Sequence, residues 1–583
     1  MNQPSALPTA GLSRRRFVQG LAVGGVAAGL GLVRPARAQA GVQPPGVLAG
    51  TDFQLDVCRT QVNYTGRVRP ATTVNGSLPG PLLRWKEGST VTLRVTNHLR
   101  ETTSIHWHGI VLPFDMDGVP GLSFDGIAPG ETFTYRFDVR QSGTYWYHAH
   151  SHFQEQTGLF GALVIDSAGP ERHVADRDYV VMLNDWTDED PARIYTRLKK
   201  RSDYYNFHQP TVADFLRDAR EQGLGEALAM RRMGNRMRMN PTDLADVGGA
   251  AYTYLMNGTA PAGNWTALFR PGERIRLRFI NGSASTIFDV RIPGLTMTVV
   301  AADGQDVAPV PVDEFRISVA ETYDVIVEPH EARAYTLFAQ SIDRTGYARG
   351  TLAPREGLRA DVPSMDARVW LGAQDMMGAM HAGSPLPPGE GSKVRASHDH
   401  HASPDPSPAG RGVNHARTEY GPSVDMRVDM PRTDLDDPGI GLRDNGRRVL
   451  TYADLRSLDP PSDRREPERE IELHLTGNME RFLWSFDGVP FSDALPIHFR
   501  KGERLRVVLV NDTMMNHPIH LHGMFSDLED AEGNVLVRKH TINVQPAQRI
   551  SYRVTADNPG RWAYHCHLLY HMEAGMFREV VVS

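Results

Sequence analysis

Three stretches of this chain repeat one pattern, and that pattern limits the folds open to it. They are LRWKEGSTVTLRVTN (83–97), LFRPGERIRLRFIN (268–281) and HFRKGERLRVVLVN (498–511). Each contains a basic residue, a glycine, an alternating apolar segment and a closing asparagine. Gly88 to Asn97, Gly272 to Asn281 and Gly502 to Asn511 are each nine residues apart. Alternation such as Val91, Leu93, Val95 or Ile275, Leu277, Phe279 has the period of a half-buried strand. A pattern that returns this way reads as three related β-domains. The 583 residues allow three or four domains at about 150 residues each.

The repeats differ in histidine. Eighteen residues past Gly88 and Gly502 stand His106 and His520, and twenty past them stand His108 and His522. The same offsets from Gly272 give Val290 and Ile292. Pro129 precedes His148 by nineteen residues, as Pro546 precedes His565, and the comparable middle stretch, AYTLFAQS (334–341), has no histidine. An HxH pair on a strand puts both imidazoles on one face. The pairs His106/His108, His148/His150, His520/His522 and His565/His567 therefore supply eight ligands, four from each end of the chain. They are expected to meet between the first and third domains, with the middle domain as a spacer.

The segment HCHLLYHMEAGM (565–576) adds Cys566, His571 and Met576. Two His and one Cys with a weak axial Met make a blue-copper electron-transfer site. His517 remains to complete it with His571. His565 and His567 flank Cys566, so on a strand they face away from it and are free for a second metal site. Ten His, one Cys and one Met thus suit one mononuclear and one trinuclear copper centre.

The N-terminus reads as an export signal over 1–38. Arg14 and Arg15 precede an apolar run at 20–33, too short to span a bilayer, and Ala36–Ala38 offers a cleavage site. A twin-arginine signal directs a bacterial protein to the periplasm, with no membrane attachment after cleavage. The net charge of −6 becomes −11 once the five arginines of 1–38 are gone. That balance argues against a nucleic-acid partner. Two cysteines exclude a disulfide framework, and Cys58 reads as a small buried residue on a first strand.

Domain one is placed at 48–168, domain two at 169–345 and domain three at 446–583. Two insertions interrupt the pattern. Residues 195–247 have helical composition and carry Met230, Met233, Met237 and Met239. Residues 346–445 read as a surface linker holding Met376, Met377, Met380, His381, His398, His400 and His401. Soft thioethers select Cu(I), so both insertions are candidates for capturing that ion near His571.

The histidine segments resemble the copper signatures of multicopper oxidases. HWHG with DGVPG (117–121), and GTYWYHAHSHFQEQTGLFGALVI (143–165), resemble laccase patterns. RMRMNPTDLAD, YTYLMNG (252–258) and the Met-bearing insertions resemble the bacterial copper-resistance type. The resemblance covers about Pro79 to Ser583. It implies an all-β fold of three cupredoxin-like Greek-key barrels and four coppers per chain. It assigns His517, Cys566, His571 and axial Met576 to type 1 copper, and His106 and His520 to type 2. Of the type 3 pair, one copper takes His108, His148 and His567, the other His150, His522 and His565. Electrons would pass from the Cys566 site through its two histidine neighbours, and dioxygen would be reduced to water. Asp117 matches the family's first-domain acid for proton delivery. Met572 stands where some cuprous oxidases have an acid, and the adjacent Glu573 is the candidate for a second proton route.

The expected activity is oxidation of Cu(I), and of phenols as further small reducing substrates, by a periplasmic monomer serving copper resistance. A general laccase and a copper-sequestering protein are the alternatives. A copper nitrite reductase would not need eight cluster histidines.

Overall fold

The computed structural model describes residues 46–583 except 222, 238–239, 373–374, 377 and 379–412. The segment 1–38 therefore lies outside the described residues. So do Met239, Met377, Met380, His381, His398, His400 and His401, and the side chains of Met230, Met233 and Met237. Among the described residues no helix is long and apolar enough to cross a membrane.

Six sheets form three successive pairs along the chain. The first pair has five and four strands; the middle and third pairs each have six and five. The repeated segment becomes the same strand in each pair: Thr90–Asn97, Ile275–Asn281 and Arg504–Asn511. Each lies parallel to the strand that opens its unit, Asp52–Val62, Arg177–Thr187 or Arg469–Asn478. Each is antiparallel to a later one, Thr132–Asp138, Thr322–Val327 or Arg549–Thr555. The topology is that of a Greek-key β-fold repeated three times. Val91, Leu93 and Val95 alternate into the core, whereas Ile275–Asn281 is buried along its whole length.

The repeated asparagine is a corner post. Asn97 donates from Nδ2 to the carbonyls of Glu101 and Ile127 at 2.8 and 2.7 Å. Asn281 donates to Thr286 and Ile317 at 2.8 and 3.0 Å, and Asn511 to Met515 and Val544 at 2.8 and 3.1 Å. Each also accepts, through Oδ1, the backbone N–H two residues on, at Leu99, Ser283 or Thr513. All three are fully buried, so these bonds satisfy an amide that would otherwise be costly to enclose. They fix the turn that leads into the next strand, which is the histidine strand in the first and third units.

The register of those strands matches the histidine pattern. His106 pairs with His148 across one sheet, and His520 with His565 across another. At the equivalent place in the middle unit Val290 faces Ala339. Beside it Asp289 is held by Arg316 and Arg344 in a buried ion cluster.

The middle unit touches both neighbours closely. A Cβ on Gly143 would lie 2.2 Å from the carbonyl oxygen of Gly304, so this approach requires glycine. Toward the third unit, the buried Lys539 ammonium pairs with Asp303 at 3.0 Å and Glu321 at 3.1 Å. Asp303 also accepts the backbone N–H groups of His540 and Thr541.

Inside the middle unit, between the paired strands Arg177–Thr187 and Tyr252–Met256, the segments Pro191–Lys200, Val212–Glu221 and Leu224–Met237 are helices. Asp190 caps the first by accepting from Ala192 N–H. The sequence boundary at 346 needs correcting. Tyr347–Ala353 pairs with Tyr335–Ser341 as a sheet strand, so the linker starts after it. The described part of the linker is not an idle surface strand either. Leu371, Met376, Met426, Val428 and Ile440 are buried in the apolar core. Cys58 sits on Asp52–Val62 but is half-buried, 3.5 Å from Thr73 Oγ1.

Candidate metal centre

Two pockets lie on opposite faces of one strand. On one face of Gly560–Cys566, Cys566 Sγ stands 3.5 Å from His517 Nδ1 and 3.8 Å from His571 Nδ1, and the two Nδ1 atoms are 3.2 Å apart. Cys566 N–H donates to the carbonyl of Met576, which holds the buried Met576 next to the cysteine. Trp484 stacks on His571 with ring centres 3.9 Å apart. Burial pushes the Cys566 thiol well above its usual range. A thiolate here therefore needs a cation beside it.

On the other face eight imidazoles converge from two units. His108, His148 and His567 form one triad within ligand range of each other, and His150, His522 and His565 form a second. His106 and His520 join His522 and His108 around the same centre. His522 Nε2 and His150 Nε2 lie 3.1 and 3.4 Å from His565 Nε2.

The hydrogen bonds around each ring decide which nitrogen is bare. His106 Nδ1–H donates to the Asp117 carbonyl at 2.8 Å, and His520 Nδ1–H to the His540 carbonyl at 2.6 Å. His522 Nδ1–H donates to Asp117 Oδ2 at 2.8 Å, and His565 Nδ1–H to the Cys566 carbonyl at 3.0 Å. Carbonyls and carboxylates only accept, so these rings carry their proton on Nδ1 and turn Nε2 lone pairs inward. In the sulfur pocket the tautomer is reversed. His517 Nε2–H faces Thr513 Oγ1 at 2.7 Å, and His571 Nε2–H faces Asp246 Oδ2 at 2.8 Å. Both leave Nδ1 toward Cys566. Outer acceptors of this kind orient metal-binding histidines.

Burial, then repulsion from neighbouring imidazoles, lowers the affinity of His108, His148, His150, His520, His522 and His567 for protons; His565 falls to about 4. These rings are neutral at neutral pH and carry free lone pairs. Nε2 of His106, His108, His148, His520 and His567 is buried without a hydrogen-bond partner. Such orphaned acceptors are expensive unless a metal takes them. Nitrogen donors with one thiolate suit copper, so the residues present fit that metal.

Asp117 is fully buried and reaches both ends of the chain, through His106 of the first unit and His522 of the third. Glu573 does not join the buried cluster. It is exposed on the short helix Leu569–Glu573, and its carbonyl accepts from Tyr195 Oη at 3.3 Å. A different acid, missed in the sequence, does reach a cluster ring. Glu155 Oε2 is 2.7 Å from His148 Nδ1, and burial raises its carboxyl well above the usual range. His540 was missed as well. Its ring lies 4.8 Å from that of His108, and burial lowers it to about 4.

Fold and site together define a multicopper oxidase, and the chain belongs to that family. Family profiles described as multicopper oxidase match residues 56–169, 177–357 and 464–583. The chain is 60% identical to a copper resistance protein A homolog of Pseudomonas syringae pv. tomato, covering 98% of this chain and 99% of that one. It is 59% identical to copper resistance protein A of Escherichia coli, with the same shares covered. The solved laccase of Botrytis aclada matches in fold with a TM-score of 0.60 at 22% identity, over 93% of this chain and 88% of that one.

Proposed function

We propose that the chain oxidises Cu(I) with dioxygen, holds four coppers and works in the periplasm after twin-arginine export. The ligand sets are those inferred from the sequence: His517, Cys566, His571 and Met576 for type 1, His106 and His520 for type 2, and the two histidine triads for type 3. When bound, copper supplies the one-electron steps that four substrate oxidations and the reduction of one dioxygen to two waters require. The chain supplies connection and protons. His565–Cys566–His567 links the sulfur pocket to both triads through three consecutive residues. Asp117 orients two cluster histidines and carries a carboxylate to the cluster.

The observation that carries the substrate assignment is Asp246 on His571. The helical insertion ends there, and its carboxylate Oδ2 lies 2.8 Å from the outer nitrogen of the proposed type 1 ligand His571. Tyr195 and Lys199 of the same insertion bond to the carbonyls of Glu573 and Phe482 in the third unit. Nearby, Asp203, Asp243, Glu480 and Met479, together with Lys200 and Arg201, line a cleft of about 630 Å³. Burial, together with Asp246 and Asp203, pushes the Asp243 carboxyl well above its usual range. The thioether favours soft Cu(I), and the acids add an attraction for a cation that a neutral phenol lacks.

The test is Asp246→Asn, assayed by oxygen uptake. A unit charge about 12 Å from a cation is worth roughly 1.4 kcal/mol at an effective dielectric near 20, so its removal predicts roughly tenfold lower kcat/KM for Cu(I). A bulky phenol should lose far less. Equal losses for both substrates, with copper content intact, would refute the assignment.

A further inference from the structure

Away from the copper pockets, the third unit holds a second convergence of metal-ligating groups. His415 precedes and Glu419 belongs to the short helix Arg417–Tyr420, in the later part of the linker. His474 lies on the strand Arg469–Asn478, and Asp512 follows the repeat strand. The side chains of all four are at least 97% buried. His415 Nδ1 lies 2.7 Å from Glu419 Oε2 and 3.5 Å from Asp512 Oδ2. His474 Nδ1 lies 2.7 Å from Asp512 Oδ2 and 3.3 Å from Glu419 Oε2. Two nitrogens and two oxygens thus alternate around one centre.

Each carboxylate is steered into that centre. Glu419 Oε1 accepts Ala416 N–H at 3.0 Å, and Asp512 Oδ1 accepts Val428 N–H at 2.7 Å, which leaves the second oxygen of each facing inward. The outer imidazole nitrogens face carboxylates as well. His474 Nε2 is 3.4 Å from Glu472 Oε1, and His415 Nε2 is 3.6 Å from Asp429 Oδ1. Carboxylates behind metal-bound imidazoles commonly set Nδ1 bare toward the ion. Despite burial, Asp512 and Glu472 push His474 up to about 10, so its proton balances one carboxylate, and an ion bound here takes that proton's place.

We propose that His415, His474, Glu419 and Asp512 form a mononuclear site for a borderline divalent transition metal, Cu(II) or Zn(II). Two imidazoles and two carboxylates at four corners suit such an ion at about 2.0–2.2 Å bonds. Calcium and magnesium want six or more oxygens and no imidazole. The ion joins residues 415–419 to two strands of the third unit, so it clasps the later part of the linker onto that unit. Thr513, next to Asp512, is the residue that faces the outer nitrogen of His517.

The experiment uses copper-loaded full-length protein, wild type and His415→Gln. After a chelator wash that empties the new site and leaves the blue band intact, titration with Co(II) alone should give one equivalent of four-coordinate ligand-field bands in wild type and none in the variant. The blue band and turnover should be unchanged, since none of the four residues belongs to the copper pockets. Metal analysis of protein from copper-only and zinc-only media should find one more ion per chain in wild type, and the medium that supplies it tells copper from zinc. Should His415→Gln fail to fold, Glu419→Gln, with the blue band as the folding control, gives the same comparison. Equal metal counts in wild type and a folded variant, or no Co(II) bands in wild type, overturn the site and leave a proton-balanced ion network.

Discussion

Replacing Asp117 with asparagine separates two roles that one carboxylate can play at the cluster. The wild-type group accepts from His522 Nδ1–H at 2.8 Å and stands 3.3 Å from His106 Nδ1. Asparagine keeps the shape and can still accept from His522, but without charge. A hydrogen bond to a charged group is worth about 1.5–3 kcal/mol and a neutral one about 0.5–1.5, so the substitution removes roughly 1–1.5 kcal/mol. That is about tenfold in rate if the loss falls on the transition state, the lower end of the 10–100-fold typical for groups that orient metal ligands. Asp117→Ala also strands a buried Nδ1–H, costing about 1–3 kcal/mol in all, and should reach the upper end. Oxygen uptake under saturating reductant, with copper content and blue absorbance as controls, measures both. If Asp117 merely orients the rings, the ratio of wild-type to Asp117→Asn rates is flat with pH. If it also delivers protons, the ratio widens as pH rises and free protons become scarce. A copper-replete Asp117→Asn that keeps the wild-type rate at every pH would refute both roles and return Asp117 to a turn residue.

Cys566→Ser should abolish the blue band and reduce turnover to background, because the proposed assignment makes Cys566 both the sulfur ligand and the link to His565 and His567; a variant that stays blue contradicts that assignment. His106→Ala should lose the type 2 EPR signal and keep the blue band, since all blue-site ligands lie on the third unit; loss of the blue band from folded protein argues against that partition. The copper-free chain should be acid-sensitive. Its buried histidines bind protons below their unfolded value of about 6.5, and His565 and His540 do so at about 4. Below about pH 6.5 the unfolded chain therefore binds more protons than the folded one, and stability falls as pH drops toward 4. Thermal melts of chelator-treated protein at pH 7.5 and 5 read this directly, and an equal or higher Tm at pH 5 would contradict it.

What the sequence revealed was what is local. Strand period places His106 with His108 and His565 with His567 on one face, so four pairs were readable without a structure. The Gly-to-Asn repeat was readable too, although the reason for the Asn lay in the carbonyls it meets. Glu573 was read from adjacency alone, and it stands outside the buried cluster. Two residues past His571 on a helix is a turn of about 200°, which sends it to solvent. Asp246, Glu155, Thr513 and His540 had no motif, and their contacts arise when separate segments close on each other. Asp246 meets His571 from a helical insertion in another part of the chain. His415 and His474 are likewise far apart in sequence, and no spacing links them.

The middle unit carries the same asparagine corner as its neighbours, with Val290 and Ala339 where they have histidines. The joinery is therefore independent of the metal. A designer could treat this strand pair as a blank socket already framed for ligands. Writing histidine at Val290 and Ile292, and across at Ala339, asks the fold for side chains alone and for no new backbone. The buried Asp289–Arg316 pair beside it would be the main obstacle. Modularity of this kind lets a lineage gain or discard a redox centre without inventing a fold.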